Sequence, residues 1–354
     1  MTDRVKLFLG AYINSANAQN LNCLALSKHL NKSKFEITTL SLYSEPTVSM
    51  DGVRVYRCIW PHRIFVYWAY FWNILKADVV YLPKAELLGF NSFLCQLLGK
   101  KSFSTIEGVL DETATQSMTS KGGKHFVKFH HRLSKRYSIT RFMREYNYNN
   151  HNLETDKQIL YLGTESDQFR ISNKSKRELQ NIIMIGNDLV RKGIEDFFEI
   201  AKIYTQLNFH IVGSGNEKIN VNNEIQKRKL DNIVYHGSIT QSEISILLKN
   251  MQLLLFPSRS EGFPKVILET ACAGVPSLVY SDYGASEWIT EGQNGFVVDT
   301  LEEMKNVIKE IQKNEDLLDQ VSKNAVQLGL SYDWQIKVND WEDVIISLYT
   351  NKTV

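Results

Sequence analysis

The stretch 253-LLLFPSRSEGFPKVILETACAGVP-276 decides the fold. Residues 253–256 are apolar at every position, as in a parallel strand buried on both faces of its sheet. Residues 257–262 then form the loop leaving the carboxyl end of that strand. Pro264 suits a first helical position, where its missing N–H would have had no partner. Gly274 closes the helix and Pro276 prevents its continuation. Glu261 therefore falls on the loop and Glu269 on the second helical turn, several ångströms away at ~1.5 Å rise per residue. Ligands of open α/β sheets bind outside the carboxyl ends of the strands, and unpaired N–H groups at a helix start attract phosphate. The two glutamates are placed to hold a phosphorylated ligand; the alternative is a pair of solvated charges flanking a helix.

Outward from this stretch the same rhythm repeats. Strands are expected at 181–185, 209–212, 233–235 and 276–280 in the second half, and at 6–9, 36–40, 53–58, 79–82 and 102–106 in the first, with a helix near 20–30. Two doubly wound α/β domains in series are the economical reading, with the polar segment 170–181 as hinge. The expected boundaries are 1–165, 166–334, and a terminal helix over 335–354 packing back on the first domain.

The chain has 354 residues, 43% hydrophobic and 23% charged, an ordinary globular composition with room for two cores. Cys23, Cys58, Cys95 and Cys272 are widely spaced, which indicates neither a disulfide framework nor a zinc site. No export signal is read at the N-terminus, and the aromatic run 59–75 is interrupted by Pro61, His62, Arg63 and Asn73, too short and broken to cross a bilayer. A cytoplasmic protein is expected. Its charge is uneven: residues 1–160 carry 21 Lys and Arg against 12 Asp and Glu, and residues 161–354 carry 20 against 27. A basic half calls for an anionic partner: nucleic acid, an anionic membrane or a phosphorylated substrate.

Several segments in order resemble the family 4 glycosyltransferases of the GT-B fold. "EGFPKVILE" (261–269) is similar to their E-x7-E signature, "LYLGTESDQF" (160–169) to the crossing into the donor domain, and "IGNDLVRKGIEDF" (185–197) to the first donor-domain strand and its Lys-Gly loop. "HIVGSGNE" (210–217) resembles the Gly-x-Gly turn, with "VYHGSI" (234–239) and "NGFVV" (294–298) continuing the pattern. The resemblance covers 160–300 closely and the first half weakly. It implies two Rossmann-like domains facing across a cleft and a retaining transfer of a hexosyl or N-acetylhexosaminyl group from a nucleotide diphosphate sugar; because the sequence carries no clear Asp-x-Asp metal site, no metal or other cofactor is expected. A UDP-sugar is the expected donor.

By the same resemblance Glu269 accepts the ribose hydroxyls, Glu261 binds the transferred sugar near its reacting carbon, and Arg191 with Lys192 grips the diphosphate. Asn187 stands where many members carry Arg, and Arg191 is read as supplying that charge. Gly186, Gly213, Ile239, Gly262, Phe263, Pro264 and Lys265 complete the donor side. In the first domain Gly10 is the candidate for the glycine turn that approaches the diphosphate. Glu107 stands where the family often has a His; it accepts a bond from the sugar or the acceptor proton, or is a solvated loop carboxylate.

Two segments bear on the acceptor. Trp60, Trp68 and Trp72 crowd 60–76, and 124–141 interleaves Lys124, Lys128, Arg132, Lys135 and Arg136 with Phe126, Phe129 and Leu133. A basic amphipathic face with aromatics meets anionic lipid; the alternative is core aromatics and solvated cations. The expected partners are a nucleotide sugar, a lipid-linked or cell-surface glycan in polysaccharide, lipopolysaccharide or capsule assembly, and the inner face of the cytoplasmic membrane, with no nucleic acid. The competing readings are a nucleotide-sugar epimerase of the same architecture and a non-enzymatic basic protein binding membrane or nucleic acid. An NAD-dependent oxidoreductase is disfavoured because "GSGNEK" has no third glycine.

Overall fold

The computed structural model describes residues 4–15, 17–110, 126–171, 178–215 and 218–350. The chain divides into two compact units, Met1–Leu162 with Trp334–Val354, and Gly163–Asp333. Each is built on a parallel six-stranded sheet.

In the first unit the strands are β1 (Val5–Tyr12), β2 (Phe35–Leu42), β3 (Val53–Cys58), β4 (Val79–Tyr81), β5 (Lys101–Ile106) and β6 (Lys135–Ser138), in the order β3-β2-β1-β4-β5-β6. The helices are α1 (Ala18–His29), α2 (His62–Lys76), α3 (Ala85–Leu97), α4 (Phe126–His130) and α5 (Arg141–His151). Asn17 starts α1 by accepting the Asn20 N–H at 2.9 Å, and Thr140 starts α5 by accepting that of Met143 at 3.1 Å. Such side-chain caps satisfy helix-end donors that would otherwise lack a partner.

The second unit begins with the short α6 (Ser166–Phe169). Its strands are β7 (Asn181–Ile185), β8 (Asn208–Val212), β9 (Ile233–Gly237), β10 (Leu253–Phe256), β11 (Ser277–Tyr280) and β12 (Phe296–Val298), in the order β12-β11-β10-β7-β8-β9. Its helices are α7 (Ile194–Ile203), α8 (Val221–Arg228), α9 (Gln241–Leu248), α10 (Lys265–Cys272), α11 (Leu301–Lys313) and α12 (Glu315–Ser331). Both sheets have the strand order in which the winding reverses between the first and fourth strands, and that reversal is where open sheets bind ligands.

The last helix, α13 (Trp334–Thr350), belongs to the first unit. Its buried Trp341 meets Tyr81 edge-on with ring centroids 5.5 Å apart and donates to the Tyr161 carbonyl at 3.2 Å. Glu342, also buried, accepts from the Asn31 N–H at 2.8 Å and from Lys34 Nζ at 2.7 Å.

Two expectations are corrected here. Gly10 is not in a turn after the first strand: it is a buried residue inside β1, at a register irregularity between Leu9 and Tyr12. A Cβ there would meet Tyr70 and the Tyr81 carbonyl at 3.0 Å, and the Gly10 carbonyl accepts the Tyr70 hydroxyl at 2.7 Å, so its small size serves packing. Nor does 124–141 form one basic face. Lys124 lies outside the described residues; the rest divides into the five-residue α4 and the edge strand β6, with Leu133 buried between them.

Candidate active site

In the second unit the functional side chains come from the loops after β7 and β10, the two central strands on either side of the winding reversal. Lys192 Nζ lies 2.7 Å from Glu261 Oε1, Arg191 Nη1 lies 3.4 Å from the same oxygen, and Ser258 Oγ reaches it at 2.5 Å. All three donors converge on Oε1. Arg191 is also tied to the Ser260 carbonyl at 2.6 Å, bridging the two loops. Glu261 is 7% exposed and Lys192 9%, a buried ion pair whose partners sit 69 positions apart in the chain. Burial pulls the Lys192 ammonium below its ordinary pKa and Glu261 pulls it back up; the Phe256 ring lies 4.8 Å beneath it.

Glycines allow this close approach. A Cβ on Gly193, at φ +83°, would fall 2.1 Å from the Pro257 carbonyl oxygen, and one on Gly213, at φ +129°, 1.8 Å from that of Gly186. Gly213 thus brings the β8 loop against the β7 loop, whose Gly186 abuts the Lys192 stem. Pro264 is the residue before α10 and Lys265 its first. Glu269 lies one turn on from Lys265; burial raises its carboxyl to about 6, against the pull of that lysine. Phe263 packs on Trp288 and Tyr332, with centroids 5.4 and 5.8 Å away. Gly262 and Ile239 are half-buried loop residues.

In the first unit Glu107 follows β5 and is pinned rather than solvated. Its Oε2 accepts from Asn22 Nδ2 at 2.9 Å, and its Oε1 from Thr105 Oγ1 at 3.0 Å and the Tyr81 hydroxyl at 3.4 Å. Beside this cluster, Lys84 is only 5% exposed; its Nζ donates to Asn20 Oδ1 at 3.2 Å and lies 5.2 Å from the Tyr12 ring centroid. The sequence reading passed over Lys84 and Ser258. The available signal for Lys84 was a lysine two residues beyond the apolar run 79–82, at the carboxyl end of a buried strand. The Tyr283 hydroxyl is also new: it is buried, lacks a hydrogen-bond partner among the described residues, and is held protonated by burial and by nearby Glu261.

The remaining cations are committed elsewhere. Lys135 pairs with Asp156 at 2.6 Å, Arg136 donates to the Glu154 and His130 carbonyls, and Arg132 to that of Gly89; Lys128 is exposed. Among the described residues no group of three or more His, Cys, Asp or Glu side chains could hold a metal ion.

Residues 165–328 match the family described as Glycosyl transferases group 1. This segment belongs to that family. It contains the whole Lys192–Glu261 cluster and Glu269. Among curated relatives, an N,N'-diacetylbacillosaminyl-diphospho-undecaprenol alpha-1,3-N-acetylgalactosaminyltransferase from Campylobacter jejuni is 27% identical over 180 residues, 50% of this chain and 47% of that protein. The chain spans about half the length of the curated relatives it matches. Among solved structures, sucrose-phosphate synthase from Thermosynechococcus elongatus superposes with a TM-score of 0.79 at 14% identity, covering 98% of this chain and all of that one. Anabaena HepE in complex with UDP gives 0.77 at 14% identity, covering 97% and 100%. These likenesses, with two parallel sheets each wound by helices, make the fold of this chain GT-B.

Proposed function

We propose that the protein is a retaining glycosyltransferase that moves a hexosyl or N-acetylhexosaminyl group from a UDP-sugar to a lipid-linked or cell-surface glycan, acting peripherally at the inner face of the cytoplasmic membrane. The observation that carries this reading is the buried Glu261 carboxylate, held through one oxygen by Lys192, Arg191 and Ser258 at the winding reversal of the group 1 segment. With Oε1 occupied by those donors, Oε2 is left to accept a hydroxyl of the sugar, and the ion pair fixes its direction. Glu269, as a carboxylate, accepts bonds from two neighbouring ribose hydroxyls.

As the bond between the anomeric carbon and the diphosphate oxygen breaks, negative charge grows on the departing oxygen. Lys192 and Arg191 are cations already fixed in place, so they stabilise that charge more than the ground state. The acceptor hydroxyl bonds to the same carbon and passes its proton to the departing diphosphate oxygen. Glu107, immobilised by three donors in the first unit, is assigned to the acceptor side. UDP bound by HepE supports the choice of nucleotide, and the undecaprenol-linked substrate named for the Campylobacter relative supports a lipid-linked acceptor.

The test is a thermal-shift screen with UDP-, GDP-, ADP- and CMP-sugars, since a ligand of the folded state raises its stability by mass action, followed by Glu261→Gln. The substitution should abolish turnover and leave UDP affinity within about threefold, because less than about 0.7 kcal/mol of nucleotide binding is asked of it. Equal loss of UDP binding in Glu261→Gln and Glu269→Ala would refute the division of labour. NMR of the first product bond should show retained anomeric configuration.

A further inference from the structure

Two helices of the first unit are apolar on the side turned to solvent. In α2, Val66, Ala69, Tyr70 and Ile74 are buried, while Ile64, Tyr67, Trp68, Phe71 and Leu75 recur on the opposite side at steps of three to four and are 40–67% exposed. In α3, Phe90, Phe93 and Leu97 repeat the pattern, with Leu97 68% exposed. Tyr67 and Phe90 meet edge-on at 5.4 Å, which joins the two stripes into one surface, and Trp60, just before α2, is 73% exposed. A helix apolar all round is normally covered, and soluble monomers rarely leave so large a contiguous apolar patch in water.

The rim of the patch is cationic. Lys76 Nζ lies 4.3 Å from the Trp72 ring centroid, the Arg132 guanidinium lies 5.2 and 6.0 Å from the Phe129 and Phe93 centroids, and Lys128 is exposed on α4. No Asp or Glu occurs in α2, and Glu86 is the only one in α3. A second copy docked through the same patch would bring like charges together around a two-fold axis. Anionic headgroups complement that rim, and Trp, Tyr and Lys are the residues that settle at the boundary between headgroup and hydrocarbon.

We infer that the α2–α3 face inserts shallowly into an anionic bilayer, its aromatic stripe in the headgroup region and Lys76, Lys128 and Arg132 over anionic lipid. The inference deepens the peripheral location proposed above, and it moves the main attachment from Lys135 and Arg136, which are already engaged, to the apolar stripe, with Lys128 and Arg132 kept at its rim.

The assay mixes the full chain with vesicles of phosphatidylcholine alone or with equimolar phosphatidylglycerol, carrying brominated acyl chains that quench tryptophan at shallow depth. It contains no donor or acceptor, so a protein that transfers no sugar would still show the effect. Wild type should bind the anionic vesicles, with quenching from Trp60 and Trp68, and part of that binding should survive 1 M salt, where screening acts over ~3 Å. The triple substitution Trp68→Ser, Phe71→Ser, Phe93→Ser should weaken partitioning by about tenfold or more, since each removes an apolar side chain from the interface, with an unchanged circular-dichroism spectrum. Unaltered binding by that variant, complete loss of wild-type binding in high salt, or a dimer that the substitutions dissociate and that ignores vesicles would each overturn the inference.

Discussion

Glu269→Gln should stabilise the protein at alkaline pH while weakening its hold on UDP. Burial raises this carboxyl from an ordinary 4.5 to about 6. A carboxyl with a raised pKa keeps its proton longer in the folded state than in the unfolded one, so it contributes stability at low pH and loses it as pH climbs from 4.5 through 6. The gap of roughly 1.5 units, at about 1.4 kcal/mol each, puts the cost of the buried charge near 2 kcal/mol at pH 8 and near 0.8 kcal/mol at pH 5. Glutamine carries no charge to desolvate, so the variant should gain up to about 2 kcal/mol at pH 8, a rise in melting temperature of roughly 4–8 °C for a unit of this size. Differential scanning at pH 8 and pH 5, with and without UDP, measures both halves of the claim. The melting advantage should shrink by more than half at pH 5, and UDP should stabilise the variant less than wild type at pH 8. A variant less stable than wild type at pH 8, or an advantage independent of pH, would refute the reasoning.

Three further outcomes are open to direct measurement. Lys192→Met leaves Glu261 buried beside a weaker set of partners and should cost about 3 kcal/mol in urea unfolding, part of which Lys192→Met with Glu261→Leu should recover because no uncompensated charge remains. Gly213→Ala would place a methyl 1.8 Å from the Gly186 carbonyl oxygen at a backbone angle unsuited to alanine; a loss of roughly 4 kcal/mol or more, read as insoluble or unfolded protein, is expected. Glu107→Gln sets an amide against the Asn22, Thr105 and Tyr81 donors and should cost about 1–2 kcal/mol, visible in urea unfolding even where turnover is not assayed.

The sequence by itself determined the local units and their class. Uninterrupted apolar runs such as 182–185 and 253–256 fall in β7 and β10 because a central parallel strand is dry on both faces, and its composition shows it. Gly274, at φ +65°, ends α10 for a reason equally local. The edge strands β6 and β12 were not recognised as strands: β6 reads Lys-Arg-Tyr-Ser with no apolar run, and β12 is only the three residues Phe-Val-Val, too short to stand out. Tertiary structure decided what local pattern has no access to. Placing β7 beside β10 is a non-local choice, and only that pairing brings Lys192 onto Glu261. Likewise β1 beside β4 sets Asn20 against Lys84, two residues that nothing in their own neighbourhoods connects. The aromatic run of α2 read equally well as core or as surface, because a helix apolar on every side has no periodicity to orient it. Packing against β1 and β3 covered Tyr70 and Ile74 and left Trp68 and Phe71 outside.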